Sequence, residues 1–272
     1  MPEKNEKVMV RLGGVQNEQS FFEKDNPYRA GDKMDKPVLF RKEDSVAILT
    51  LNRPEKRNAL NQDLLTHLYG HLDVVKSDDS IRVAVITGAG SSFSAGLDLN
   101  CIATDNMMDP RGDGVYLTDF MKSCNKPFIG AINGPAITGA FEIALNCDFL
   151  IAAPSAVFRD THALLGIYPG WGMSQLLSRA VGIRMARQIS LTGKDITAQQ
   201  ALNLGLVNEI VEPDQLMPRV MQIAQDICKT KADFLPGYRK LINDGHNLSA
   251  GQALDLEKKV FTRFLNGSAA LI

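Results

Sequence analysis

A glutamate that follows a glycine-containing turn is the first candidate for proton-transfer chemistry. The turn and the glutamate lie in residues 133–142 (NGPAITGAFE), directly after the apolar run Phe128–Ile132. A strand that passes through such a turn into a helix leaves free backbone N–H groups at the helix start, where the helix dipole adds positive charge. This geometry suits a developing negative charge, and Glu142 would lie in the first helical turn. The alternative interpretation is an ordinary tight turn with a dipole-stabilised glutamate.

A histidine close to an aspartate is the second candidate for acid–base chemistry. His162 follows Asp160 by two positions in the segment FRDTH at 158–162. An imidazole titrates near neutral pH, so this pair fits either a tuned acid–base group or a satisfied structural histidine. His67 and His71 are spaced i, i+4 on a predicted helix, but no third ligand lies nearby. We therefore interpret them as part of a solvated helix face and predict no metal site.

A glycine-rich segment after another strand could bring backbone close to a ligand. Residues 88–99 (GAGSSFSAGLDL) have Phe93 at the third glycine position of a dinucleotide fingerprint, so a dinucleotide site is not expected. The serines of this run lack the GxSxG pattern of a nucleophile elbow, which argues against acyl-enzyme hydrolysis. The small residues Ala95 and Gly96 leave room for a ligand against the backbone N–H groups.

The elements that must position these residues alternate between strands and helices, which predicts an α/β fold. Residues 1–36 are polar and are predicted to form an N-terminal extension, followed by a core at 37–205 and a helical region at 206–272. Strands are expected at 46–51, 83–87, 128–132, 148–152 and 206–211. Helices are expected at 60–75, 116–124, 141–147, 172–180, 183–191, 198–204, 216–229 and 250–265.

The composition excludes several classes of partner. Among 272 residues, 30 are Lys or Arg and 31 are Asp or Glu, so the net charge of −1 gives no bulk attraction to nucleic acid. The longest apolar runs fall far short of the roughly 20 residues that a membrane helix needs. Four cysteines without a CxxC pair favour reduced thiols, and the N-terminus has neither a secretory nor a transit-peptide pattern. We therefore expect a cytoplasmic protein that binds neither nucleic acid nor membrane.

Three motifs in this order carry a resemblance to a known family. They are NRPEKRNALN at 52–61, FSAGLDL at 93–99, and the stretch from NGPA at 133–136 through Gly139 and Glu142 to Cys147 and Asp148. Together with GIYPG at 166–170 and LTGK at 191–194, they make the chain resemble the crotonase (enoyl-CoA hydratase/isomerase) superfamily over about residues 38–265.

This resemblance implies a fold, a ligand and a set of site residues. The fold is a spiral of ββα repeats with a helical C-terminal region that forms homotrimers, often paired as a dimer of trimers. The ligand is an acyl-CoA, whose CoA is part of the substrate, so no separate cofactor is expected. The implied CoA-binding residues are Arg57, Ala59, Ala95, Gly96, Leu97, Asp98 and Leu99. The backbone N–H groups of Leu97 and Gly139 correspond to the oxyanion hole, and Glu142 corresponds to the first of two glutamates that hold water in hydratases.

The sequence departs from the family pattern in two places. His162 stands where the second glutamate is expected, and a neutral imidazole can still accept a hydrogen bond from water through one nitrogen and donate through the other. The sequence also stops at Ile272, before the last helix that family members commonly carry near the CoA adenine, so we expect a more open CoA site. Double-bond isomerases of the family depend on an acid at the second position.

The sequence therefore predicts an enzyme that hydrates 2-enoyl-CoA thioesters. Glu142 would be the base toward water, and His162 and Asp160 would position the reacting groups or supply a proton. One alternative keeps the fold but changes the reaction to isomerisation or another enolate-stabilised step. Another is an acyl-CoA-binding protein without turnover, which the missing second glutamate suggests. Residues 101–117 and the region of Trp171 are expected to line the acyl pocket, and the acyl chain length stays undetermined.

Overall fold

The computed structural model describes residues 35–267, which form two β-sheets surrounded by helices. The predicted extension at 1–36 lies almost entirely outside the described residues. The strands are β1 (Val38–Glu43), β2 (Val46–Leu51), β3 (Val83–Gly88), β4 (Phe128–Ile132), β5 (Ala136–Ile137), β6 (Phe149–Ala152), β7 (Val157–Arg159), β8 (Ile196–Thr197) and β9 (Glu209–Ile210). The helices are α1 (Gln62–Ser77), α2 (Leu117–Ser123), α3 (Gly139–Leu145), α4 (His162–Leu165), α5 (Met173–Val181), α6 (Ile183–Thr192), α7 (Ala198–Asn203), α8 (Leu216–Cys228), α9 (Leu235–His246) and α10 (Ala250–Leu265).

The larger sheet has six strands in the order β1-β2-β3-β4-β6-β9. Strands β1 and β2 form an antiparallel hairpin, and every other neighbouring pair is parallel. Both faces are covered, because Ala84 and Ile86 of β3 enter one buried cluster while Val83 and Val85 enter the other. Strands buried on both faces read as continuous apolar runs, which is why the sequence predicted them.

The chain passes repeatedly from the larger sheet to the smaller one and then into a helix. After β4 in the larger sheet it forms β5 in the smaller sheet and then α3, and after β6 it forms β7 and then α4. The smaller sheet has the order β5-β7-β8. This is the ββα repeat that the resemblance implied, and it places the starts of α3 and α4 side by side at the ends of β5 and β7.

The predicted elements agree with the structure where an apolar pattern in the sequence is long enough to recognise. The bounds of β2, β4 and α10 match the prediction, whereas β9 is only two residues long instead of the predicted 206–211. The hairpin strand β1 and the helix α9 were not predicted. Strand β1 carries charged residues at its exposed end, and α9 has no buried residue and begins with Leu-Pro-Gly.

The C-terminal helices fall into two groups. Helix α8 packs on the larger sheet through Leu216, Val220 and Ala224, whereas α9 and α10 contribute no buried residue. The pair of α9 and α10 is joined by an aromatic contact between Phe234 and Phe264, whose ring centroids are 6.4 Å apart. The helical character of this region is confirmed, while the proposed division at residue 205 stays a prediction.

Two further expectations concern membranes and cysteines. Within residues 35–267, no helix combines the length and the apolar character that crossing a membrane requires. All four cysteines lie in this part of the chain as free thiols, with Cys124 buried and the other three partly buried.

Candidate active site

The carboxylate of Glu142 is held by the backbone that precedes and begins α5. Glu142 lies in the first turn of α3 and is only 3% exposed. Its Oε1 accepts hydrogen bonds from the backbone N–H groups of Trp171 at 2.8 Å and Met173 at 3.0 Å. Because both donors bind the same oxygen, Oε2 is left to face the neighbouring side chain.

That neighbouring side chain is His162, at the start of α4. Its Nε2 lies 3.7 Å from Glu142 Oε2, which is longer than a direct hydrogen bond. On the other side of the ring, Nδ1 lies 2.6 Å from Oδ1 of Asp160. His162 and Asp160 are buried, so the two candidates that the sequence placed on separate segments form one cluster with Glu142.

Burial and hydrogen bonding shift the pKa values of the two carboxylic acids in opposite directions. Burial raises the pKa of Glu142, although the N–H groups of Met173 and Trp171 and the nearby His162 oppose the shift. Burial also acts to raise the pKa of Asp160, but hydrogen bonds from His162 and Ser190 outweigh it and hold this pKa below its usual range. Asp160 is therefore the more readily ionised of the two.

Two backbone N–H groups lie free near this cluster, as expected for an oxyanion hole. Within residues 35–267, neither Leu97 N–H nor Gly139 N–H donates a hydrogen bond to another protein group. The two segments lie side by side, because a Cβ placed on Gly139 would be 3.6 Å from Leu97 Cδ2. A parallel bridge between Ser94 and Ala136 fixes their alignment.

Gly96 allows this close approach of the two segments. Its φ is +85°, and a Cβ at this position would lie 2.5 Å from the carbonyl oxygen of Ile137. Its own carbonyl accepts the N–H of Leu60, and Leu60 in turn accepts the N–H of Asp98, so the N–H of Leu97 between them stays unused. Glycine is required here both for the backbone conformation and for the space.

Thr138, the residue before Gly139, has a strained backbone. Its φ of 51° and ψ of −107° are rare for a β-branched residue, and such conformations persist only where the surroundings impose them. Here its N–H donates to the carbonyl of Arg159 at 2.8 Å, and its hydroxyl accepts the N–H of Thr161 at 3.1 Å. These contacts to β7 and α4 set the direction of the helix start that carries Gly139 and Glu142.

Asn58 is a supporting residue that the sequence analysis quoted within a motif but did not single out. It is fully buried, and its Nδ2 donates to the carbonyl groups of Ala89, Ser92 and Phe93 at 2.8, 2.8 and 3.2 Å. Its Oδ1 accepts the N–H of Arg53 at 2.9 Å. Asn58 therefore joins the NRPEKRNALN motif to the glycine-rich segment. The sequence did not indicate this role, because the carbonyl groups that Asn58 binds lie 31 to 35 residues further along the chain.

The residues implied to bind CoA lie on two adjoining segments. Arg57, Ala95 and Leu99 are exposed, Ala59 is half-buried, and the N–H of Ala95 donates to the carbonyl of Arg57 at 2.9 Å. Asp98 differs from these, because its carboxylate is buried and faces Arg53 Nη1 at 3.3 Å. The side chain of Asp98 thus stabilises the loop, and its expected contact with CoA stays a prediction.

The interpretation of His67 and His71 as a solvated helix face was wrong for His71. His71 is fully buried, stacks on Phe40 with ring centroids 5.2 Å apart, and places Nε2 at 3.2 Å from the carbonyl oxygen of Val38. The reason is that the unpredicted strand β1 covers this side of α1. In the described part of the chain, no group of three or more His, Cys, Asp or Glu side chains could hold a metal ion.

Comparison with known proteins gives this arrangement its family. A family model described as enoyl-CoA hydratase/isomerase matches residues 41–269. The chain belongs to the enoyl-CoA hydratase/isomerase family. The three motifs that suggested this resemblance all lie within the matched residues.

Individual members of the enoyl-CoA hydratase/isomerase family resemble the chain over most of its length. A probable peroxisomal enoyl-CoA hydratase 1 of Arabidopsis thaliana is 40% identical over 225 residues, covering 82% of this chain and 84% of that protein. A short-chain-enoyl-CoA hydratase of Clostridium acetobutylicum is 37% identical over 228 residues, covering 82% and 87%. The crystal structure of an enoyl-CoA hydratase from Bacillus anthracis has a TM-score of 0.77 at 30% identity, covering 85% of this chain and 92% of that chain.

Proposed function

We propose that the protein is an enoyl-CoA hydratase, which adds water reversibly to the double bond of a 2-enoyl-CoA thioester. The observation that carries this proposal is the free oxygen of the buried Glu142 carboxylate. This oxygen faces His162 Nε2 at 3.7 Å and belongs to the helical turn that begins with the free N–H of Gly139. The relatives named as enoyl-CoA hydratases support the same reaction.

A water molecule can bridge Glu142 Oε2 and His162 Nε2 from beside the line that joins them, because their separation of 3.7 Å is too short for a water to lie between them. An ionised carboxylate and the bare nitrogen of a neutral imidazole are both acceptors, so one water can donate a hydrogen to each. The oxygen lone pairs of that water then face away from both acceptors and toward the substrate. The cluster in this way both positions the nucleophile and provides the base.

In the proposed hydration, each proton and each electron pair moves to a defined atom. The water oxygen bonds to C3 of the enoyl group while Glu142 takes one of its protons, and the electrons of the double bond move onto the thioester oxygen. The N–H groups of Leu97 and Gly139 stabilise this enolate, and such donors are typically worth about 3 kcal/mol each. Return of the proton from Glu142 to C2 yields the 3-hydroxyacyl thioester and restores the carboxylate.

The CoA portion of the substrate is proposed to lie along the two adjoining segments around Arg57 and Ala95. Their exposed backbone and the cationic side chain of Arg57 fit a ligand that carries phosphates. Since CoA enters and leaves as part of the thioester, the reaction needs no further cofactor.

The test compares turnover with binding. We expect the wild type to hydrate at least one of a panel of short, medium and branched 2-enoyl-CoA esters. Replacement of Glu142 by Ala or Gln should lower kcat by about 10²–10⁴-fold, the usual contribution of a general base, while binding of the CoA ester persists.

Two outcomes would contradict hydration. Movement of the double bond without water addition would favour an isomerase, and tight binding without turnover of any ester would favour a binding protein. Equal activity of the wild type and the Glu142→Ala variant would remove Glu142 from the chemistry.

Two finer features of the protein are also proposed here. The apolar residues exposed on α9 and α10 support a homotrimer or a dimer of trimers, as the family resemblance implied. The free thiols fit a reducing compartment, and we propose the cytoplasm. Because the Arabidopsis thaliana relative is named peroxisomal, localisation of a tagged chain by microscopy is the direct test.

A further inference from the structure

Asp160 binds His162 twice through one carboxylate oxygen. Its Oδ1 accepts the backbone N–H of His162 at 3.0 Å and lies 2.6 Å from the ring Nδ1. Both side chains are buried, so water does not compete for these bonds. An ionised carboxylate only accepts hydrogen bonds, and the proton between the two groups therefore belongs to Nδ1.

The proton on Nδ1 determines what the other ring nitrogen can do. A neutral imidazole carries one proton, so a ring protonated at Nδ1 presents a bare Nε2. In this structure, Nε2 is the atom that faces Glu142 Oε2. The opposite tautomer would place an N–H there, so Nε2 could no longer accept a hydrogen bond from water.

We propose that Asp160 is a positioning residue that fixes His162 in the Nδ1–H form, and so makes this histidine a hydrogen-bond acceptor for water where the family resemblance implies a glutamate. The catalytic consequence rests on the proposed hydratase function. The location of the proton on the ring does not depend on it.

In the described part of the chain, no second charged side chain competes with His162 for the carboxylate of Asp160. The nearest cation in sequence, Arg159, directs its Nε away to the carbonyl of Gly193 at 2.6 Å and to Asp195 at 3.5 Å. Within residues 35–267, His162 is the only cationic or titratable base that pairs with Asp160. The hydroxyl of Ser190 adds a hydrogen bond to the same carboxylate.

The first test observes the tautomer in the unaltered protein. The chain has four histidines, so ¹⁵N-labelling of their rings gives few signals, and those of His162 are identified by their loss in a His162→Gln variant. At a pH where the ring is neutral, we expect its proton on Nδ1. A neutral ring with the proton on Nε2, or a ring that keeps both protons up to about pH 9, would overturn the proposal.

The second test separates positioning from general stability. In Asp160→Asn, the amide oxygen can still accept from both His162 donors, so the Nδ1–H form should persist and kcat should fall only moderately. In Asp160→Ala, we expect mixed tautomers and a kcat lowered by about tenfold or more, with KM nearly unchanged. Unchanged tautomer and kcat in Asp160→Ala would contradict the assignment.

A matched control removes another carboxylate from the same region. Asp195 is exposed and lies beside Arg159, so Asp195→Ala should leave both the tautomer and kcat as in the wild type. If Asp160→Ala fails to fold, the wild-type spectrum and the Asp160→Asn variant still decide the question. Failure of the wild type to hydrate any ester would refute the proposed function alone, whereas an Nε2–H ring in an active hydratase would refute this inference alone.

Discussion

At the residue scale, the site depends on the carboxylate of Glu142, which is buried although a charged carboxylate is more stable in water. Glu142 has only two backbone donors and one nearby imidazole to replace hydration, and burial raises its pKa. A base of raised pKa is a better proton acceptor, so the arrangement that helps the chemistry weakens the fold.

The pH dependence of stability tests this trade-off. Because the folded-state pKa of Glu142 is raised, the folded protein binds this proton more tightly than the unfolded chain does. The carboxylate therefore lowers the free energy of unfolding as the pH rises from the ordinary glutamate pKa, about 4.3, through the raised value. The free energy of unfolding of Glu142→Gln, measured in urea, should equal that of the wild type near pH 4. At neutral pH it should be larger than that of the wild type by about 0.5–2 kcal/mol. A less stable variant at neutral pH would contradict this explanation.

The sequence indicated the candidate acid–base residues more readily than the residues that support them. Glu142 and His162 were found because their residue types carry chemistry and their segments follow strands. Their mutual distance could not be read, since it depends on β5 and β7 pairing in the smaller sheet. Asn58 was missed as a support because its three carbonyl partners lie in a loop far along the chain.

At the element scale, the proposed oxyanion hole needs two segments from different parts of the chain at a fixed separation. The glycine-rich loop supplies Leu97 and the start of α3 supplies Gly139. Gly96 sets their distance, because only a residue without a side chain fits against Ile137 in this conformation.

Two glycine substitutions separate the effect of crowding from that of backbone conformation. Gly96→Ala adds a clash with the carbonyl of Ile137 to the cost of a positive φ, so it should lower both stability and kcat. Gly205 has a similar φ of +74° but nothing within 4 Å of an added Cβ, so Gly205→Ala should cost only about 1–2 kcal/mol and leave kcat intact. Thermal unfolding and steady-state hydration measure both effects, and equal behaviour of the two variants would argue against the role of Gly96.

Sequence patterns predicted those elements in which apolar residues recur over a full strand or over several helical turns. Strand β4 is buried throughout, β2 is buried at every residue except Thr50, and both were predicted with their observed bounds. The two- and three-residue strands of the smaller sheet contain no period that a sequence can show. Helix α9 was missed because its sequence contains Pro236, Gly237 and Gly245, residue types that are typical of turns.

At the scale of the whole molecule, α9 and α10 present exposed apolar side chains that are suited to contact with another chain. Tyr238, Ile242, Phe261 and Leu265 are all more than half exposed on these helices. Neither helix has a buried residue, so the single chain gives them little packing energy. Association with further copies of the chain would bury this surface.

Light scattering after size-exclusion chromatography tests this assembly. We expect the wild type to elute with the mass of three or six chains. Phe261→Glu places a charge on the apolar surface and should shift the distribution toward monomers, because burying an unpaired charge opposes association. Lys259→Ser on the same helix is the control and should leave the mass unchanged. A monomeric wild type would contradict the proposed trimer.

The position of β9 affects the synthesis of the chain as well as its finished structure. This short strand closes the edge of the larger sheet beside β6, although α4 to α7 and β8 separate the two in sequence. On the ribosome, β1 to β6 therefore emerge first, and the backbone edge of β6 waits for its partner. An open strand edge can pair with another chain, and non-local parallel pairing forms slowly. The nascent chain is thus most prone to aggregation in this interval, which ends when β9 pairs with β6 and α8 covers the sheet.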